Sequence, residues 1–179
     1  MTKKEKVITY IWLMSIVIII FFGVFLIFQR PSTDVVSAYK ELLETSDKVR
    51  THYKNKPDYW GLNTTEAVKN KLFSGKLTNN QIINSLGKYV IIGGDISGNT
   101  VMPRMRSFVI GYKDLTQKEC IELASFIWKE SDKLGLLSVQ INTDNVEYNF
   151  DWGEDGLPLS RSKAKQFCGE VNSLVWIFE

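Results

Sequence analysis

The chain has 179 residues, 44% of them hydrophobic and 23% charged, with a net charge of +2 at pH 7 and a pI of 8.4. Taking Lys3, Lys4, Lys6 and Arg30 from its 22 basic residues and Glu5 from its 20 acidic ones leaves residues 31–179 with a net charge of −1. That balance excludes the basic excess of a nucleic-acid surface, and the length suits one domain able to bury its own core.

Ile8 to Phe28 is an unbroken run of twenty-one residues without charge or proline. As a helix rising about 1.5 Å per residue it spans roughly 31 Å, the thickness of a bilayer's hydrocarbon core, and predicts a membrane anchor. Lys3, Lys4 and Lys6 precede it and Arg30 alone follows closely, so the positive-inside rule puts the N-terminus in the cytoplasm and the rest outside. A cleaved secretory signal fits less well. The run is longer than a signal's apolar region, and Phe28, Gln29, Arg30 and Pro31 offer no small-residue cleavage site. Two parts are expected: residues 1–30 as cytoplasmic stub and transmembrane helix, and 31–179 as one extracytoplasmic domain.

After Pro31, the residues Ser32, Thr33 and Asp34 are candidate helix caps. Val35, Val36, Tyr39, Leu42, Leu43, Val49 and Tyr53 then recur at helical spacing, opposite Lys40, Glu41, Glu44, Asp47, Lys48 and Arg50, which predicts an amphipathic helix continuing the anchor as a spine. Asn63 or Thr64 is placed to cap a short helix over Glu66–Phe73, and Leu77–Leu86 reads as another short helix capped by Thr78 or Asn79. Short strands are expected at Tyr89–Ile92 ahead of Gly93-Gly94, at Asn99–Met102 and at Ser107–Tyr112. Thr116 and Glu119 form a capping box, followed by Cys120, Leu123, Ala124, Ile127, Trp128 and Ser131 on one helical face up to Gly135. Leu136–Ile141 and Asn145–Phe150 flank the turn formers Asn142, Thr143 and Asp144 as a hairpin. A loop and a short segment around Lys163–Phe167 lead to Ser173–Phe178, which has strand composition. The expected class is α+β, with a helical spine on one face of a mainly antiparallel sheet.

Cys120 and Cys168 both lie in the part assigned to an oxidising space, which makes a disulfide the natural inference; two buried free thiols are the alternative. A bridge across this loop would stabilise the fold by about 4 kcal/mol in the chain-entropy model.

Little in the chain promises catalysis. The single histidine, His52, leaves no partners for a histidine-based zinc site or a triad, and reads as an ordinary surface residue of the spine. Gly93-Gly94 lacks the lysine spacing of a phosphate loop. Asp151-Trp152-Gly153-Glu154-Asp155-Gly156 gathers carboxylates and glycines, but lacks the ligand register of a calcium hand and reads as a solvated turn; Asp151 and Glu154 have no visible cleft for acid–base work. No enzyme activity, cofactor or metal is expected. Trp60 and Trp152 lie in turn-rich loops and are candidates for a partner surface, whereas Trp128 and Trp176 sit at core spacing.

A polar start with Glu5 at position five, an apolar helix continuing as an amphipathic one, a C-terminal sheet and two cysteines bounding its last part together resemble the plan of a type IV pilin. The segment from Gly111 to Leu123, GYKDLTQKECIEL, is similar to the strand and L-T-x-x-x-C-x-x-L helix start of type IVb pilins, the family of the toxin-coregulated pilus and of conjugative thin pili. Cys168 matches the second family cysteine, and the stretch from Lys71 to Gly93 looks like the family's variable αβ region. The resemblance implies a subunit of a pilus or related secretion, conjugation or adhesion filament. It also implies an inner-membrane location with the domain in the periplasm before assembly, other pilin subunits and assembly proteins as partners, and Glu5 as an assembly residue. Lys3, Lys4 and Lys6 crowd Glu5, and three cations in an apolar filament core would need partners. Two alternatives therefore stand beside the subunit reading: an uncleaved, tethered pilin-like binding module that does not polymerise, and an anchored envelope enzyme.

Overall fold

The computed structural model describes residues 12, 14–19, 32–94, 106–126, 135–144, 146–153 and 156–179. It divides into two compact units, Met1–Ser32 and Thr33–Glu179. In the first, residue 12 and residues 14–19 are helical and exposed. Among the described residues no helix is long and apolar enough to cross a membrane. Most of the expected anchor, Glu5 and the expected continuity with the spine fall outside them.

The second unit, the head, opens with α1 (Thr33–Tyr53), whose buried stripe comprises Val35, Ala38, Tyr39, Leu42, Thr45, Ser46, Val49 and Tyr53. The apolar spacing foretold the stripe except at Ala38, Thr45 and Ser46, and it included Val36 and Leu43, which are only half-buried. Thr45 and Ser46 are buried because their hydroxyls are satisfied, Thr45 accepting from the Ser74 amide at 2.9 Å and Ser46 donating to the Leu43 carbonyl at 2.8 Å. Asn63 caps α2 (Thr64–Lys69) by accepting from the Glu66 amide. The helix stops four residues before the expected end, at Asn70 and the left-handed Lys71.

Leu77–Leu86 is not a helix. It forms β1 (Lys76–Thr78) and β2 (Gln81–Ile83), an antiparallel hairpin closed by the pair Thr78↔Gln81. The reason lies in Asn79 and Asn80, both at positive φ (49° and 61°), the backbone of a two-residue turn that asparagine tolerates better than other non-glycine residues. Pairing Ile82 with Val90 then buries Ile82 completely.

β3 (Tyr89–Gly94), β4 (Phe108–Thr116), α3 (Gln117–Ala124), β5 (Leu136–Thr143), β6 (Val146–Asp151), α4 (Arg161–Phe167) and β7 (Val171–Phe178) complete the head. The seven strands among the described residues form one sheet in the order β1-β2-β3-β4-β7-β5-β6, with every neighbouring pair antiparallel. β3 continues through Gly93-Gly94 instead of ending before them. The β5–β6 turn is tighter than expected, since Thr143↔Val146 is already a ladder pair and Asp144 takes the left-handed conformation. Asn99–Met102, Trp128 and the expected continuation of α3 beyond Phe126 lie outside the described residues.

The core lies between the sheet and the helices. Leu42, Phe108, Ile110, Tyr112, Leu115, Leu123, Ile141, Leu174, Trp176 and Phe178 are almost wholly excluded from solvent. Tyr39 of α1 stacks on Phe126, just past α3, with ring centroids 3.7 Å apart, and Tyr112 meets Trp176 edge-on at 5.0 Å.

Candidate assembly surface

At the end of β4 the chain bulges against β7, with Asp114 at φ 58°, and runs into α3 through the capping box. Thr116 Oγ1 accepts from the Glu119 amide at 3.3 Å while the Thr116 amide donates to Glu119 Oε2 at 2.7 Å. Lys88 reaches over from the β2–β3 turn, donating to the Asp114 carbonyl at 2.7 Å and pairing with Glu119 at 3.3 Å. Burial alone would raise the Glu119 pKa, but the Thr116 amide, the Thr116 hydroxyl and the Lys88 ammonium together hold it below the ordinary 4.5.

One turn into α3, Cys120 is bridged to Cys168 at the end of α4, with a Cα–Cα separation of 6.0 Å. Both cysteines are buried. Gln117 Nε2 donates to the Cys168 carbonyl at 2.9 Å, and Asn172, buried at the start of β7, donates to the carbonyls of Leu115 (3.2 Å) and Gly169 (2.9 Å) while accepting from the Gly169 amide (2.8 Å). The covalent bridge and these amide clamps hold α3, α4 and the start of β7 as one block.

Between α3 and α4 opens a cleft of about 450 Å³ lined by Gln117, Lys118, Ile121, Arg161, Ser162 and Lys165. Beneath it lies Glu122, its side chain only 2% exposed, 3.4 Å from Arg161 Nη2 and 4.0 Å from Lys118 Nζ. The sequence did not flag this carboxylate. On the α3 wheel it stands away from Cys120, Leu123 and Ala124, on the side that solvent would take if α4 did not cover it. The available signal was Lys118 one turn before Glu122.

The candidate partner residues stand elsewhere. Trp60 is 74% exposed after α1, its amide donating to Asp58 Oδ1 at 3.0 Å. Trp152 follows β6, is 39% exposed, and donates its Nε1 to the Leu136 carbonyl at 2.7 Å. The neighbour of Trp60, Tyr59, rests on Phe108, Phe108 rests on Phe178, and Phe178 pairs with Leu136. Both tryptophans therefore belong to the end of the sheet where β4 and β5 begin and β6 and β7 finish, whereas the disulfide is at the other end. Arg50 joins α1 to that tryptophan end, donating to the Glu179 carbonyl at 2.9 Å and lying over the Phe178 ring. Desolvation lowers the Arg50 pKa against the opposing influence of Tyr59, Asp47 and Glu179.

His52 is half-buried, with its Nε2 3.1 Å from Lys56 Nζ. Glu154 and Asp155 of the acidic loop lie outside the described residues, and among the described residues no group of three or more His, Cys, Asp or Glu gathers where it would hold a metal.

The fold is that of type IVb pilins. It is similar to the type IVb pilin of Salmonella typhi, with a TM-score of 0.50 and 16% identity, over 80% of this chain and 96% of that one. It is also similar to TcpA, a type IV pilin of the Vibrio cholerae El Tor biotype, with a TM-score of 0.56 and 14% identity, over 83% of this chain and 100% of that one. No protein-family model matches the chain, and no curated protein sequence does so.

Proposed function

We propose that the chain is a membrane-anchored, type IVb pilin-like subunit that takes part in building a pilus or a related secretion, conjugation or adhesion filament. The single observation that carries this reading is the fold, which matches two pilins over nearly their whole length. The apolar run Ile8–Phe28 and the basic residues before it support a single-pass anchor in a bacterial inner membrane with the head in the periplasm, before assembly into a surface filament. Other subunits and assembly proteins are its partners, Glu5 serves assembly, and the α3–α4 block and the outer face of α1 meet neighbouring subunits. Trp60 and Trp152, far from the disulfide, form a separate partner surface. The role is structural and involves no catalytic step.

A second reading has its own support in Lys3, Lys4 and Lys6, which are solvated at a bilayer's cytoplasmic edge but need partners in an apolar filament core. On that reading the head is tethered permanently and does not polymerise. The intact mass of the non-reduced protein, extracted from membranes of cells carrying its native assembly genes, separates the two. A shortened or N-methylated chain lacking two cysteine hydrogens is the subunit; a full-length unmodified chain with the same bridge is the tethered module.

A further inference from the structure

The charges of the disulfide-bounded region are sorted by element. From Leu134 to Ser160 the sequence holds five carboxylates, Asp144, Glu147, Asp151, Glu154 and Asp155, and no lysine or arginine; α4 then holds Arg161, Lys163 and Lys165 and no acid. In the fold, Asp144 is exposed in the turn before β6, and Glu147 and Asp151 are exposed on β6, the outer strand of the sheet, whose edge among the described residues is bonded only at its end, where the Leu157 amide donates to the Asp151 carbonyl at 2.8 Å. The cleft between α3 and α4 carries Lys118, Arg161 and Lys165 at its rim, with buried Glu122 within 4.0 Å of the first two. Lys165 is exposed and has no ion-pair partner among the described residues.

We propose that the α3–α4 cleft receives the acidic β6 edge of a second copy of this chain. The inference rests on the subunit reading above and names the surfaces that meet. Two β6 edges would set carboxylate against carboxylate, so edge-to-edge pairing between copies is disfavoured while the basic cleft attracts the same edge. Glu147 and Asp151 stand on one side of the strand, about 13 Å apart at strand rise. Long side chains from two helices whose axes lie about 8–10 Å apart bracket that spacing. Ile121 supplies an apolar part of the cleft wall beside these charges. Because cleft and edge are different patches, the contact is heterologous: each added copy leaves one cleft and one edge free, which suits an open polymer.

The test uses the full chain in cells with its native assembly genes, treated with a zero-length carbodiimide that joins a lysine amine to a carboxylate in direct contact. Wild type is expected to give oligomers in which Lys118 or Lys165 of one copy is joined to Glu147 or Asp151 of another. Lys165→Glu and Glu147→Lys should each lower oligomer yield about tenfold, and the two together should restore it to within about twofold. The non-reduced mass and membrane abundance of each variant check folding, and since the two positions lie on different surfaces, a variant that fails to accumulate leaves the other to decide. Oligomers that form equally well in both single variants, or cross-links from Lys165 to a different protein, overturn the cleft–edge contact and leave the subunit reading standing. A wild type that forms no oligomer under these conditions overturns both.

Discussion

The phenol of Tyr112, buried in β4, donates a 2.8 Å hydrogen bond to the main-chain carbonyl of Ala38, seventy-four residues earlier in α1. It is a polar pin between helix and sheet. Tyr112→Phe keeps the ring and its edge-on contact with Trp176 and removes only the pin, so a loss of about 1 kcal/mol is expected in denaturant unfolding, without a change in secondary structure.

The bridge between Cys120 and Cys168 gives a larger effect. Cys120→Ser is expected to lower stability by about 2–4 kcal/mol and to reduce the amount of protein accumulating in cells. Thermal unfolding with and without reductant checks this: wild type should fall toward the variant when reduced, and the variant should not respond.

Asn172 is buried and uses its side chain three times, on Leu115 and twice on Gly169. Asn172→Ala leaves those groups to be satisfied by nothing in a site closed to water, with an expected cost of about 2–3 kcal/mol. Asn172→Asp should be comparable, because it forfeits both donated bonds. Chemical denaturation of both variants, with the disulfide intact, reads this independently of the bridge.

Alkaline pH should loosen the head through its buried phenols. Desolvation raises the Tyr39 pKa from 10.0 to about 12, and Tyr112 is pushed well above 10.0, first by burial and then by Glu41. A raised phenol favours the folded state fully below the unfolded value of 10, and that contribution is lost as pH climbs from 10 through the folded value. The measurement is the tyrosinate absorbance titration beside circular dichroism: ionisation of these two should coincide with loss of near-ultraviolet signal, and Tyr39→Phe should move that loss to higher pH.

At the acid side, Glu119 acts with the opposite sign. Its lowered pKa means that its contribution is complete above the ordinary 4.5 and is lost as the pH falls through the folded value. Part of the side chain is exposed, so screening keeps the effect modest. Glu119→Gln should flatten the stability profile below the ordinary carboxylate value of 4.5 while leaving the alkaline limb unchanged.

What the sequence disclosed and what it hid follow the range of the interactions involved. The capping box at Thr116, the Asn63 cap and the α1 stripe are local, and the residues that make them announce themselves within one or two turns of chain. The cysteine pair was legible through its setting and even number. The β1–β2 hairpin was misread because Ile82, Ile83 and Leu86 fall at helical intervals, while the deciding signal was the Asn79-Asn80 dipeptide. Glu122 was invisible because its burial is imposed by α4, some forty residues downstream. Strand composition identified Ser173–Phe178 as a strand, two residues short of the start of β7, but propensity carries no information about which neighbours a strand takes.

That choice of neighbours has a kinetic consequence. β7 follows every other strand in the chain yet sits between β4 and β5. Before it arrives, β1–β4 and the β5–β6 hairpin are two unconnected ribbons, each with an edge that β7 will later occupy. The head is therefore a fold that closes late, by insertion of a keystone strand, and its slowest step should be long-range pairing rather than helix formation. Until β7 is in place, the raw edges of β4 and β5 stay open to pairing with any other unfolded chain nearby.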